Sequence, residues 1–142
     1  MFKKYLIAVI VVFIISSILD WLANGVILMS LFSQSAELWR PIDEMKWSLG
    51  HVISFLSILF FTYIYYRLID RKSVANGIMY GLIYGIAWGL SYGYGTYAYM
   101  PIPYLLALGW FLHSVIAFTI FGLIISLIIR EKSAKFIFCI YV

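Results

Sequence analysis

Four residues have side chains that could do chemistry where none would be expected: Asp20, Asn24, His51 and His113, each set in or at the edge of a long apolar run. Asp20 has Ser16 one helical turn before it and Asn24 one turn after, so the three form a polar stripe on a helix. A carboxylate deep in hydrocarbon costs roughly 2.5–3.5 kcal/mol on insertion scales, so it is expected to face a bundle and have a partner. His51 follows Gly50 and precedes Ser54 by three residues, while His113 has Gly109 one turn before it and Ser114 beside it. At about 1.5 Å of rise per residue, all four fall in the middle or the same outer half of their helices. One buried polar cluster, Asp20, Asn24, His51 and His113, is therefore expected.

Carboxylate and imidazole groups together can relay protons through a membrane. Two imidazoles and a carboxylate could hold a divalent metal, and two histidines on facing helices could ligate a b-type haem. The depths of His51 and His113 differ by about 10 Å at the helical rise, which disfavours one haem plane between them. The simplest role is a hydrogen bond from Asp20 to a histidine or tyrosine that holds helices together. No cofactor is the first expectation; a b-type haem or a divalent metal on His51 and His113 is the alternative. The sequence has no glycine-rich phosphate loop, no Ser/His/Asp set and no zinc-type spacing, so a non-enzyme is expected. Its single cysteine, Cys139, excludes an internal disulfide.

The elements that would position these residues follow from composition. Of 142 residues, 65% are hydrophobic and 11% charged, with a mean hydropathy of +1.01. A soluble domain carries about 25% charged residues, so most of this surface is expected to face lipid. Apolar runs cover residues 5–32, 45–68, 74–99 and 102–129, each beyond the roughly 20 residues that cross a hydrocarbon core of about 30 Å. Backbone amides in lipid must be satisfied within the chain, so such runs are helices. The expectation is one all-α, integral membrane four-helix bundle over residues 1–142, with antiparallel neighbours joined by short loops.

Basic residues orient it. With the N-terminus inside, the inner segments hold Lys3, Lys4, Arg67, Arg71, Lys72, Arg130, Lys132 and Lys135, and the outer ones only Arg40 and Lys46. That bias predicts N-in, C-in topology, as a multi-pass protein of a bacterial-type inner or plasma membrane. The net charge of +4 is thereby explained without nucleic acid. Trp39, Trp47, Tyr97, Tyr99 and Tyr104 would mark the outer interface, and Tyr5, Tyr63, Tyr65 and Tyr66 the inner one. Residues 36–39 could form an interfacial turn, and the tail at 130–142 is too short to span.

The third run carries the strongest pattern. Gly77, Gly81, Gly85, Gly89 and Gly93 recur every fourth residue, and Tyr80, Tyr84, Trp88 and Tyr92 stand immediately before the last four. Residues four apart share one ridge of a helix, so a glycine groove lies beside an aromatic ridge. Small residues at this spacing let membrane helices approach closely. A glycine-zipper third helix is expected, packed within the chain or against another subunit. The expected function is a small non-catalytic membrane protein acting through helix–helix association, as an accessory subunit or a homo-oligomer, with lipid and other membrane subunits or its own copies as partners. The alternatives are a small proton- or cation-coupled transporter or channel using Asp20 and a buried histidine, and a haem- or metal-binding protein using His51 and His113.

Overall fold

The computed structural model describes residues 2–130; the apolar tail and Cys139 lie outside them. The described residues form helices joined by turns and loops, without strands. Helix α1 (Phe2–Leu22) runs into a single π turn (Ala23–Ile27), and after Leu28 the chain continues as the short α2 (Met29–Ser33). Two 3-10 turns, Ala36–Leu38 and Ile42–Glu44, make up the loop before α3 (Trp47–Leu68). Then come α4 (Val74–Gly89), a second π turn (Leu90–Tyr94), α5 (Gly95–Tyr99) and α6 (Tyr104–Ile128). Three helices are long and apolar enough to cross a membrane: Phe2–Ile27, Trp47–Leu68 and Tyr104–Ile128.

The runs expected at 5–32 and 74–99 are thus not uniform helices. The first bends at Leu28, whose backbone leaves the helical region (φ −96°, ψ 0°). There Leu28 donates to the Ala23 carbonyl, a five-residue step, and its side chain fills the notch at Gly109 on α6. The bend is a packing event at the opposite helix, invisible in the hydropathy of the run itself.

Helix α6 is the hub. It packs on α4 along most of its length and on α1, while α3 packs chiefly on α1. Glycine decides the closest of these contacts. Gly77, Gly81, Gly85 and Gly89 are all buried, as is Gly93, and each lies against the backbone or Cβ of α6. A Cβ on Gly85 would stand 2.8 Å from the Ser114 carbonyl oxygen, and one on Gly93 would stand 2.6 Å from that of Ala107. At Gly81 it would strike the Phe118 carbonyl, and Gly122 opposes Gly77 and Gly81 in the same way. The glycine face of α4 is therefore occupied within the chain.

The aromatic ridge divides between two neighbours. Tyr80 stacks on Phe61 of α3 with ring centroids 4.7 Å apart, and its hydroxyl donates to the Phe61 carbonyl at 2.8 Å. Tyr84 meets Phe61 and Phe118 and stacks on Trp88, whereas Tyr92 lies against Trp110 of α6 at 4.9 Å. Two apolar clusters result. One gathers Tyr5, Val12, Ile58, Phe61, Tyr65 and Phe121 toward the end where the chain starts. The other gathers Leu28, Ile102, Leu106, Ala107 and Trp110 at the opposite end, with Phe32, Leu38 and Trp39 packed on it. Trp39 is half-buried, packed on Phe32 and Trp110.

Candidate functional site

Polar groups gather between the two apolar clusters. Ser16 and Ser114 are buried at this level and bond to their own helices, Ser16 to the Phe13 carbonyl at 2.9 Å and Ser114 to that of Trp110 at 2.8 Å. They need no partner on another helix. Asp20, Asn24 and His113 do make cross-helix contacts. His113 Nε2 lies 2.8 Å from Asp20 Oδ1, a carboxylate–imidazole contact that is an ion pair when the ring is protonated. One turn on, Trp110 donates its indole N–H to Asn24 Oδ1 at 3.0 Å. The Asn24 amide in turn donates to the Asp20 backbone carbonyl at 3.2 Å. Two bonds therefore tie the first span, Phe2–Ile27, to α6, through residues about one turn apart on each.

Both π turns sit at this level. The turn at Ala23–Ile27 contains Asn24, and the turn at Leu90–Tyr94 contains Tyr92, which packs on Trp110 from the other side. A π turn inserts one extra residue into a helix, and such turns are frequent at functional sites. Here each of the two carries a residue that contacts Trp110: Asn24 by a hydrogen bond and Tyr92 by ring packing. At about 1.5 Å per residue, Asp20 lies roughly 10 Å from Ile27, where the first span ends, and His113 roughly 14 Å from Tyr104, where α6 begins.

His51 does not join this group. It is exposed, as is every residue from 46 to 53. A helix that packs one face buries a residue every third or fourth position, so the first two turns of α3 stand clear of the rest of the chain. The face involved is nonetheless the packed one: His51 lies seven residues before buried Ile58, with Ser54 between them, and Phe61, Thr62 and Tyr65 continue the stripe. His51 thus sits on the inward face of a helix end that has no inward contact.

The burial expected of Asp20 is only partly met. The Asp20 side chain keeps 51% of its surface exposed, against 19% for His113. In water an exposed carboxylate needs no explanation; at this depth in a membrane-spanning helix it does. Among the described residues, no group of three His, Cys, Asp or Glu side chains could hold a metal ion. His51 and His113 occupy different settings, one free and one paired with Asp20.

Trp110 is the member of the site that the sequence reading passes over. Its signal was its spacing, three residues before His113, which puts both on one face of α6 as Asp20 and Asn24 are on α1. Comparison with protein families, with curated proteins and with solved structures finds no match.

Proposed function

We propose that this chain is a non-catalytic membrane protein that crosses the bilayer four times, N-in and C-in, and acts by associating with another membrane-embedded molecule. The fourth crossing in this reading is the helical stretch 74–99, whose glycines and tyrosines lower its hydropathy but whose glycine zipper is sheltered against α6. One observation carries the association reading. Asp20, held by His113, remains half exposed at a depth where lipid would surround it. A bare carboxylate there is expensive, and a partner seated against it removes the expense. The glycine face, occupied by α6, is not the docking surface; the face around Asp20 is.

The test is the size of the assembly after mild extraction from native membranes. The unaltered chain should run with a partner or with further copies, and Asp20→Asn, which keeps the shape and one hydrogen bond, should weaken that assembly. A chain that runs alone in every mild detergent and nanodisc would refute the reading.

The second reading is a proton- or cation-coupled transporter, favoured by the 2.8 Å Asp20–His113 contact, since such pairs can carry a proton between them. Proteoliposome flux that depends on pH and disappears in Asp20→Asn would favour it over association.

A further inference from the structure

The start of α3 and the side of Asp20 not covered by His113 are both exposed in the same half of the molecule, and the face around Asp20 is unfilled. Residues 46–53 are exposed all round, and a Cβ placed on Gly50 meets no atom within 4 Å. The inward stripe of this end carries Trp47, His51 and, just past the exposed stretch, Ser54, with Gly50 beside it, so one large aromatic stands at the helix start and small or polar groups follow. In the same half, α1 presents Asp20, with Trp21 beside it 67% exposed. Only Oδ1 of the carboxylate is engaged by His113.

We infer that the occupant of this face is a membrane-spanning helix of a different polypeptide, carrying a lysine or arginine at the depth of Asp20. The inference rests on the association reading above and adds the partner's chemistry. Intramembrane charges pair with opposite charges, and the group presented here is a carboxylate with one oxygen not engaged by His113. A second copy of this chain is poorly suited to supply the cation. Its described lysines and arginines are Lys3, Lys4, Arg40, Lys46, Arg67, Arg71, Lys72 and Arg130, all at helix ends or in loops. None lies within a span near the level of Asp20. Gly50, with no atom within 4 Å of an added Cβ, leaves room at one point of α3 for a helix backbone to approach, as small residues do between membrane helices.

The experiment reconstitutes the full chain in phosphatidylcholine vesicles with fluorescent single-span polyleucine peptides, and reads association by energy transfer. One peptide carries a lysine at the depth of Asp20, one a glutamine at the same place, and one leucine alone. The lysine peptide should associate about tenfold more strongly than the leucine peptide, the order of a polar interhelical contact in model peptides, with the glutamine peptide between. Asp20→Asn should reduce the lysine peptide to the level of the glutamine one. The peptide series on the unaltered chain remains decisive even if that variant folds poorly. Equal capture of all three peptides would overturn the charge pairing and leave association standing. Association of the chain with itself and no preference among peptides would assign the face to a second copy and overturn the inference. Failure of every peptide would overturn it too, while the assembly size in native membranes reports on the association reading independently.

Discussion

Replacing Gly81 with alanine isolates the α4–α6 contact, because the added methyl group is the whole perturbation. A Cβ at this position strikes the Phe118 carbonyl and comes to 3.0 Å from the Thr119 Cα, so the obstacle is backbone on the facing helix. No side-chain rotation relieves it; the helices must separate. Overpacking of this kind costs about 1–3 kcal/mol, and a backbone obstacle belongs at the upper end. Alanine returns about 1 kcal/mol through its better helix propensity. The net expectation is a loss of about 2 kcal/mol, or a fall in Tm of roughly 5–10 °C for a chain of this length. Gly50→Ala is the matched control: nothing lies within 4 Å of its added Cβ, so propensity alone acts and stability should stay level or rise by up to about 1 kcal/mol. Thermal unfolding in one detergent, followed by tryptophan fluorescence and circular dichroism, reads both. Gly81→Ala as stable as the unaltered chain, or less harmful than Gly50→Ala, would refute the packing argument.

Three further outcomes follow from single contacts. Asn24→Ala leaves the Trp110 indole N–H, bonded at 3.0 Å in the intact chain, without its acceptor; about 1–3 kcal/mol should be lost, read as a lower midpoint in the same unfolding assay. Thr62 Oγ1 is buried with no hydrogen-bond partner among the described residues, so Thr62→Val should raise stability by about 1 kcal/mol, and a marked fall would show a hidden partner. A cytoplasm-active reporter inserted at residues 70–73 should work and one within 33–46 should fail; the reverse would overturn the topology read from the basic residues.

The sequence made the long elements legible because membrane spans announce themselves by length and hydropathy. Helices α1, α3 and α6 needed nothing more. The four-residue glycine spacing also disclosed a close contact, but not its partner. Only the opposing run of Gly122, Phe118, Ser114 and Ala107 on α6 settles that, and its spacing is ordinary for an apolar helix. At the site, the Ser16, Asp20 and Asn24 stripe identified the polar face of α1 and implied a cross-helix partner for Asp20. It could not show that Ser16 turns to its own helix, nor that Asn24 takes the Trp110 indole. His51 joined the expected cluster on depth alone. Depth fixes a level along the helix axis, not the lateral separation between helices, and α3 stands clear of the chain where His51 lies. The two π turns left no trace either, since an extra residue in a turn has no hydropathy signature; each carries a residue that contacts Trp110.

The central claim is that the chain leaves the face around Asp20 for another molecule to cover. Photo-crosslinking in native membranes from a benzophenone amino acid at Trp21, with Ile83 on α4 as a comparably exposed control, tests it most directly. The account predicts a discrete protein adduct from position 21, lost when Asp20→Asn is added, and lipid adducts alone from position 83. Lipid adducts alone from both positions, or a position 21 adduct indifferent to Asp20→Asn, would contradict it.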